Sequence, residues 1–555
     1  MDLRQSRAQG CRRRSAHPNR RSLPRVSPHA PTTPPPTAAG GCTPATSIRR
    51  RATLAGLLAA AVALGLAELA AGVLAGSPSL VVAVGDVVVD LVPLGLERAA
   101  ITLFGTADKP VLLAGILLAC AALGSLLGLL AWRAPRWADA ALIAVVATGV
   151  LATRADPQAE LVSVIVVGVV GAAGGVITLR LLVRAAGGGH AGPPGRGGAL
   201  GRRRFLQLSA LAAAVAAGSA LAGRVLAGRA GIEELRAALR LPPPAQRASP
   251  PPPGAELEVA GLTPLYVPND DFYRIDTALF APKVDPTDWS LRITGRVDRP
   301  FRLSYADLLA LPQIEADVTL SCVSNEVGGH LVGNARWQGV PLAALLERAG
   351  VRRGADQLVG RSVDGFTAGF PTALAISTPG AMVAVGMNGE PLPTLHGFPA
   401  RLVVPGLYGY ISATKWLTAI ELTTREEVDG YWIGRGWAKD APIKTQSRID
   451  VPSRGATVPP GPATVAGIAW APVRGIDAVE VRVDDGPWEA ARLADALGVA
   501  CWRQWLYRWD ATPGEHRVAV RAIDGTGAIQ TAKRADVVPD GATGHHTIIV
   551  TVTRD

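Results

Sequence analysis

Five long apolar runs in the first half of the chain limit what it can fold into. They cover about residues 52–75, 110–131, 137–153, 160–183 and 205–226. A helix needs roughly 20 apolar residues to cross a hydrocarbon core of about 30 Å. The third run is shorter, but Trp132 and Trp137 stand at its start, and tryptophan is common where a membrane meets water. The sequence therefore predicts an α-helical membrane region over residues 51–230, with about five spans.

A further segment, residues 78–104, is apolar but contains Asp86, Asp90, Glu97 and Arg98. Carboxylates are costly inside a bilayer because they lose their hydration there. We therefore favour an amphipathic segment outside the cytoplasm over a further membrane span.

The positive charge of the chain is concentrated beside the apolar runs. The net charge is +11 over 555 residues, but residues 1–51 contain eleven Arg and one Asp, and residues 184–204 contain five Arg and no acid. The remaining residues are slightly acidic, so we expect no nucleic-acid partner. Arginine stays on the cytoplasmic side of membranes. We therefore expect a multi-pass protein of the cell membrane, with a lipid bilayer as partner, both Arg-rich segments inside and residues 255–555 outside.

The last apolar run begins with Arg202, Arg203, Phe205 and Leu206. This order is similar to a twin-arginine export signal, in which two arginines and any residue precede Phe-Leu. An ordinary fifth helix held by cytoplasmic arginines explains the same residues, and both interpretations stay open. In either one, the chain after residue 226 lies outside the cytoplasm.

Composition divides the rest of the chain into segments. Residues 1–50, rich in Arg, Pro, Ser and Thr, predict a disordered cytoplasmic tail. Residues 231–255 contain PPPAQRASPPPP, which predicts a stiff, extended linker. Residues 256–450 have the composition of a globular domain. In residues 451–555, alternating polar and apolar residues are broken by Asp-Gly and Pro-Gly turns, which predicts an all-β sandwich.

The stretch VTLSCVSNEVGGHLVGNARWQGVPL, residues 318–342, contains one of only five cysteines. Its first residues alternate as a strand that brings Cys322 to the strand's end. VPLAALLERAG then predicts a helix with Pro341 in its first turn and Gly350 at its end. The glycines between these elements permit close approach to something bulky. The Cys322 thiol is consistent with a buried apolar residue, with a ligand for a soft metal or with a nucleophile activated by histidine.

A second stretch, residues 386–422, contains His396, Arg401 and Lys415. Each of these residues alone has an ordinary explanation at a turn or on the surface. Together, three potential cations beside a thiol loop favour a pocket for one phosphate group.

These motifs resemble the sulfite oxidase family of molybdenum enzymes. The matching pieces are LSCVSN, GNARWQGVPL, NGEPLPTLHGFPARLVVPG, Lys415-Trp416 and PNDDFYRID at residues 268–276. The likeness covers about residues 260–555. It implies a multi-domain chain in which the membrane region precedes an α+β molybdopterin domain (256–450) and an immunoglobulin-like dimerisation domain (451–555), through which two chains would pair.

The resemblance also implies a cofactor and its ligands. Molybdenum would be held by the dithiolene of one molybdopterin and by the Cys322 thiolate. His396, Arg401 and Lys415 would bind the pterin and its phosphate, and Asn269 would contact the cofactor. The implied reaction is two-electron oxygen-atom transfer with a small oxo donor or acceptor.

Departures from the family pattern bear on the substrate. Glu326 stands where sulfite-oxidising members have arginine, and Trp437 stands where they have a tyrosine near the metal. Arg274 matches a substrate-side arginine, but Asp276 replaces its accompanying histidine. These changes disfavour a small dianion, and we predict reduction of S- or N-oxides over sulfite oxidation. In the plainer alternatives, Trp437 belongs to the core and Glu326 pairs with Arg336 away from the metal.

The sequence also bears on the source of electrons and on two alternative functions. None of the eight histidines lies in a predicted span, so we expect no haem in this chain and a separate electron-transfer partner. A cysteine hydrolase would pair Cys322 with His330 or His396, and a catalytically silent adhesion or assembly protein could use the same fold.

Overall fold

The computed structural model describes residues 44–74, 76–92, 96, 103–104, 108–187, 197–228 and 231–554. Residues Ile48–Asp555 form one compact unit. Along the chain it contains a helical region (residues 48–228), a middle region (231–445) and a C-terminal region (446–554). The predicted disordered tail lies almost wholly outside the described residues, as does most of 93–107.

Within its described residues, the helical region contains five helices that are long and apolar enough to cross a membrane, as the sequence predicted. A sixth helix, α2, has only 12 residues. Described in chain order, the helices of this region are α1 (Pro44–Val73), α2 (Leu80–Leu91), α3 (Asp108–Arg133), α4 (Pro135–Ala152), α5 (Leu161–Gly187) and α6 (Gly197–Gly228).

Helix α1 packs closely against its neighbours because small residues face one another. A Cβ added at Gly56 would lie 2.0 Å from the carbonyl oxygen of Gly124 on α3, and one at Gly72 would lie 2.4 Å from that of Gly223 on α6. Small residues allow helix backbones to approach in a membrane, where apolar side chains gain nothing by leaving lipid. The glycines therefore place α1 between α3 and α6.

The middle region is an α+β structure built around two five-stranded sheets. One has the order β2-β1-β10-β5-β6; the other is β3-β4-β7-β8 with β9 also paired to β7. The elements are α7 (Ile232–Ala238), β1 (Ser290–Gly295), β2 (Phe301–Ser304), α8 (Tyr305–Ala310), β3 (Ile314–Ser321), β4 (Val332–Pro341), α9 (Leu342–Ala349), β5 (Gln357–Ser362), β6 (Thr367–Pro371), α10 (Thr372–Ser377), β7 (Met382–Met387), β8 (Glu390–Pro391), β9 (Arg401–Val403), α11 (Gly409–Ser412) and β10 (Leu417–Thr423).

The segment around Cys322 has the predicted local structure. Strand β3 ends at Ser321, one residue before the cysteine. Helix α9 begins directly after Pro341 and ends at Gly350, whose φ of 69° lies in the left-handed region that favours glycine. Both local predictions are confirmed.

The C-terminal region consists of two sheets, with the strand orders β11-β13-β17-β16 and β12-β19-β18-β14-β15. Between them lies a core of aliphatic side chains and tryptophans such as Trp505. The strands are β11 (Gln446–Val451), β12 (Thr457–Val458), β13 (Gly461–Trp470), β14 (Ile476–Val483), β15 (Glu489–Ala490), β16 (Arg492–Leu493), β17 (Arg503–Ala511), β18 (Gly514–Asp524) and β19 (His546–Val552).

The proline-rich segment near the start of the middle region is tied by hydrogen bonds to the sheet that contains β3 and β4. The backbone N–H of Ala245 donates to the carbonyl of Gln313 at 2.8 Å. The side chain of Gln338 donates to the carbonyl of Pro242 at 2.7 Å. The segment thus holds one defined position beside β3.

His546 joins the C-terminal region to the loop after Cys322. Its ring lies where a Cβ on Gly328 would meet it at 2.3 Å, and Gly328 has a φ of +80°. The His546 Nδ1 accepts a hydrogen bond of 3.0 Å from the backbone N–H of Ile449, so Nδ1 carries no proton. Burial lowers the pKa of His546 to about 4.

We expect the folded chain to lose stability as the pH falls from about 6.5 to 4. The pKa of His546 is depressed in the folded state, so the unfolded chain binds its proton first. The stability that the neutral His546 ring contributes is complete above about pH 6.5 and is lost as the pH falls towards 4. His546→Gln should remove about 1–3 kcal/mol of the pH dependence, measured by denaturant unfolding of the full chain in detergent at pH 7 and pH 4.5.

His516→Gln is the matched control in the same region. Asp484 raises the pKa of His516. His516 therefore contributes stability at low pH that is lost as the pH rises, which is opposite to the behaviour of His546. The prediction would be contradicted if the free energy of unfolding fell as much between pH 7 and pH 4.5 in His546→Gln as in the wild type.

Candidate active site

Cys322 lies in a tight turn between β3 and β4. Its backbone N–H donates to the carbonyl of Leu331 at 2.9 Å, and its own carbonyl accepts from Asn325 at 3.1 Å. The Asn325 side chain in turn accepts from the backbone of Leu331 at 2.8 Å. The Cys-x-x-Asn spacing therefore closes the turn and fixes the direction of the thiol.

The glycines of this loop admit aromatic rings of the protein itself. A Cβ at Gly333 would lie 2.6 Å from the ring of Phe272. The bulky groups that the glycines were expected to admit thus include Phe272 beside Gly333 and His546 beside Gly328.

A partly open pocket lies beside the cysteine. It lies where strands of the two sheets of the middle region end. Its lining combines one thiol, two cations, two carboxylates and several aromatic rings. The lining residues are Phe272, Tyr273, Ile275, Asp276, Thr277, Cys322, Ser362, Asp364, Phe366, Arg401, Gly409, Tyr410, Ala413, Lys415, Trp416 and Trp432.

Arg401 brings a buried positive charge to this pocket from the start of β9. It is 3% exposed. Its guanidinium donates to the carbonyl of His396 at 3.1 Å and lies 5.0 Å from the centre of the Trp337 ring. No described carboxylate lies within ion-pair distance of it, and burial lowers its pKa to about 10. An uncompensated buried cation favours an anionic ligand.

Lys415 supplies a second cation on the segment that leads into β10. Its ammonium group forms an ion pair of 2.5 Å with Asp276 and donates to the carbonyl of Leu395 at 3.2 Å. Burial lowers the pKa of Lys415 to about 8, while the Asp276 carboxylate opposes the shift. Asp276 therefore balances one of the two positive charges.

His396 has a defined tautomer and an unsatisfied nitrogen. Its Nε2 lies 2.7 Å from the carbonyl oxygen of Asn269, so Nε2 carries the proton and donates. Burial lowers the pKa of His396 to about 4, and the ring is neutral. Its Nδ1 is buried with no hydrogen-bond partner among the described residues. This nitrogen is therefore a buried neutral acceptor next to Arg401, although His396 itself does not line the pocket.

The Cys322 thiol is 7% exposed, and burial raises its pKa. Hydrogen bonds from Ser324 and the charge of Lys415 act in the other direction. Described residues hold no cluster of three or more His, Cys, Asp or Glu that could bind a metal. A metal bound to Cys322 would therefore bring its other ligands with it, as a dithiolene cofactor does.

Four predicted site residues are not among the lining residues of the pocket, namely Asn269, Arg274, His396 and Trp437. Asn269 reaches the site through its carbonyl and His396, and its amide donates to Glu390. The Arg274 side chain is 50% exposed and lies 3.5 Å from Asp276. Trp437 packs 5.7 Å from the ring of Tyr410, behind that lining residue.

Glu326 is exposed and also lies outside the lining. Its suggested pairing with Arg336 is wrong, because Arg336 instead binds Asp317 at 2.8 Å. The negative charge that faces the pocket comes from elsewhere, namely from Asp276 and Asp364.

Sequence reasoning missed several lining residues. Tyr273 and Tyr410 bring two phenols to the pocket, although the Trp437 substitution had suggested the loss of one. Burial raises the pKa of both. Tyr273 belongs to the motif PNDDFYRID and Tyr410 to the stretch of residues 386–422, where spacing alone did not distinguish them from core residues. Asp364 and Trp432 lie on turns without a sequence signal.

The hydrolase alternative lacks its geometry in this site. Described hydrogen bonds include none between Cys322 and His396 or His330. The Nε2 proton of His396 is directed at a backbone carbonyl, so no carboxylate orients this ring as a general base requires.

Comparison with known proteins places this pocket in a family. The model of the oxidoreductase molybdopterin binding domain matches residues 278–432. This range includes Cys322, His396, Arg401 and Lys415, whereas Asn269, Arg274 and Trp437 lie outside it.

Two relatives and one solved structure are similar over parts of the chain. Uncharacterized oxidoreductase YuiH of Bacillus subtilis is 37% identical over 153 residues, 28% of this chain and 74% of YuiH. Mitochondrial sulfite oxidase of Macaca fascicularis is 30% identical over 312 residues, 47% of this chain and 57% of that protein. Sulfane dehydrogenase SoxCD of Paracoccus pantotrophus has a TM-score of 0.47 and 25% identity, covering 52% of this chain and 82% of that one.

The chain thus spans little more than half the length of the mitochondrial sulfite oxidase and about three quarters of YuiH. The strand-borne cysteine and the buried cations agree with the family model and with the similarity to YuiH. The chain belongs to the sulfite oxidase family of molybdopterin-dependent oxidoreductases.

Proposed function

We propose that this protein is a membrane-anchored oxidoreductase that transfers an oxygen atom to or from a small substrate at a molybdenum cofactor bound by Cys322. The observation that carries the proposal is one pocket in which a buried thiol accompanies Arg401, a buried cation with no described carboxylate partner. A soft ligand beside an anion site fits a metal that arrives with a phosphate-bearing organic group.

Each cofactor ligand has a distinct task. Cys322 would bind the metal as a thiolate and release its proton on binding, because burial disfavours the free anion. Arg401 and Lys415 would neutralise the phosphate, and the unpaired Nδ1 of His396 would accept a hydrogen bond from the pterin. Asn269 orients His396 through its carbonyl. When bound, the cofactor supplies the two-electron redox change and the oxygen exchange.

The outer wall of the pocket supports a neutral substrate. It consists of residues 275–277 and 364–366 together with Trp432. Asp364 accepts a hydrogen bond from the backbone of Phe366 at 3.0 Å and forms no ion pair with a described residue. A sulfite dianion would meet this carboxylate, whereas a neutral S- or N-oxide would not and could pack on Phe366 and Trp432. We therefore favour reduction of S- or N-oxides.

Sulfite oxidation is the second candidate. It is supported by the similarity to sulfite oxidases and by Arg274, which lies at the edge of the pocket beside Asp276. A rotation of its half-exposed side chain would bring one positive charge to the outer wall.

The surroundings of the enzyme follow from the rest of the chain. Five apolar helices support a lipid bilayer as anchor, and the distribution of arginine supports an outward-facing catalytic domain. No histidine lies in these helices, which favours a separate electron-transfer partner over haem in this chain. The two sheets of the C-terminal region are compatible with an immunoglobulin-like domain through which two chains pair.

Replacing the metal ligand should abolish turnover. We expect about one Mo per chain in the wild type, and loss of activity by at least about two orders of magnitude in Cys322→Ser, because a hydroxyl is a poorer ligand for this metal. Metal analysis, steady-state assay and circular dichroism of the full chain measure the result.

Cys501→Ser is the matched control for this change. Cys501 is also buried, but its thiol donates to the carbonyl of Asp317 at 3.1 Å, a bond that serine can form. Activity in wild-type protein purified free of Mo from cofactor-deficient cells would contradict the assignment.

Substrate preference should follow Asp364. Wild-type enzyme should reduce sulfoxides or N-oxides with a viologen donor faster than it oxidises sulfite with ferricyanide. Asp364→Asn removes the repulsion and should raise kcat/KM for sulfite about five- to thirtyfold, since a half-buried unit charge at close range is worth about 1–2 kcal/mol. Glu326→Gln, outside the pocket, should change it little. Efficient sulfite oxidation by the wild type would favour the second candidate instead.

Reporter fusions test the orientation. A compartment reporter after residue 45 or 195 should give a cytoplasmic signal, and one after residue 555 should give an external signal, because the Arg-rich segments stay inside. A cytoplasmic signal after residue 555 would contradict the proposed topology.

A further inference from the structure

All three segments of the outer wall contact the helical region. The first is the stretch at 275–279. Lys109, at the start of α3, donates hydrogen bonds to the carbonyls of Asp276 at 3.0 Å and Ala278 at 2.6 Å. Leu279 packs on α2 so closely that a Cβ on Gly85 would lie 2.5 Å from it. The backbone of Asp276, whose side chain balances Lys415, is thus held by α3.

The second wall segment is contacted by a carboxylate of α2. Asp90 accepts hydrogen bonds from the Tyr431 hydroxyl at 2.7 Å and from the Arg435 guanidinium at 3.0 Å. The Arg435 guanidinium lies 3.6 Å from the centre of the Tyr431 ring. The Tyr431 ring packs edge-on at 5.1 Å against Trp432, which lines the pocket. Asp90 therefore fixes the position of Trp432 through Tyr431, which packs against Trp432, and through Arg435, which packs against Tyr431.

The third wall segment is the turn at 364–366. A Cβ on Gly365 would lie 3.3 Å from the ring of Pro157, in the connection between α4 and α5. Asp364 and Phe366, on either side of this glycine, line the pocket. The helical region thus touches this turn as well.

The cofactor-binding side of the pocket is built differently. Within the described residues, the side chains of Cys322, His396 and Arg401 form no hydrogen bond or ion pair with the helical region. Their partners belong to the middle region. The cofactor-binding side therefore depends on the middle region, except that Asp276, the partner of Lys415, is itself held by α3.

We propose that the helical region is a structural part of the substrate site, in which Asp90 and Lys109 are positioning residues for the outer wall. Both act through other groups: Asp90 through Tyr431 and Arg435 on Trp432, and Lys109 through the backbone on Asp276. The inference rests on the proposed function, because it assigns the outer wall to the substrate. It makes the membrane helices more than an anchor.

Removing one of these contacts should weaken substrate binding and leave cofactor binding intact. In the full chain purified in detergent, Asp90→Ala and Lys109→Met should each raise KM for a sulfoxide about five- to tenfold, since a positioning hydrogen bond to a charged group is lost. The kcat, Mo content and Mo(V) electron paramagnetic resonance signal should stay close to those of the wild type. Asp90→Glu, which keeps the carboxylate, should recover most of the lost affinity.

Arg154→Gln is the matched control for a lost charge. Arg154 is exposed in the same connection as Pro157, and the structure shows no hydrogen bond or ion pair between it and the described wall residues. Its KM should equal that of the wild type.

Hydrogen exchange of residues 430–436 gives a readout that does not require catalysis. These amides should exchange faster in Asp90→Ala than in the wild type and in Arg154→Gln. Unchanged KM and unchanged exchange in both Asp90→Ala and Lys109→Met would overturn the inference, as would loss of Mo from either variant. Wild-type protein that lacks Mo and activity would contradict the proposed function, whereas the exchange comparison would still decide on the wall contacts.

Discussion

The charge on Arg401 is the constraint on which the rest of this site depends. A guanidinium that is 3% exposed has lost its water, and the surrounding groups offer it carbonyl oxygens and the face of Trp337 instead of a carboxylate. Such a site is stable because carbonyl dipoles and the ring partly replace hydration. An incoming anion gains much from it, since its charge meets a cation that is already fixed in place. Lys415 differs, because Asp276 already balances its charge.

The residues that we propose for cofactor binding could be picked out from the sequence because they lie next to strong local signals. Cys322 follows an alternating strand, and His396, Arg401 and Lys415 lie within twenty residues of one another. The five long apolar helices were predictable because each apolar run has about the length that a helix needs to cross a membrane. Helix α9 followed from Pro341 and Gly350, which mark its two ends.

The outer wall was not predictable in the same way, because it depends on contacts between distant segments. Glu326 follows Cys322 within four residues, yet the turn closed by Asn325 leaves it exposed. Asp364 and Trp432 reach the pocket only after two sheets have packed together. Trp437 packs behind Tyr410, and no periodicity in the sequence distinguishes the ring that lines a pocket from the one behind it.

The contact between the C-terminal region and the cysteine loop limits how freely the chain can be recombined. Arg448 donates to the carbonyl of Gly329 at 2.9 Å, while the ring of His546 occupies the space beside Gly328. Arg448 and His546 thus support the loop that follows Cys322, more than a hundred residues earlier in the chain. A C-terminal region grafted from a relative would therefore have to bring equivalents of both residues. Exchange of whole domains is a common route to new enzymes. In this chain it would require the C-terminal region and the loop after Cys322 to be exchanged together.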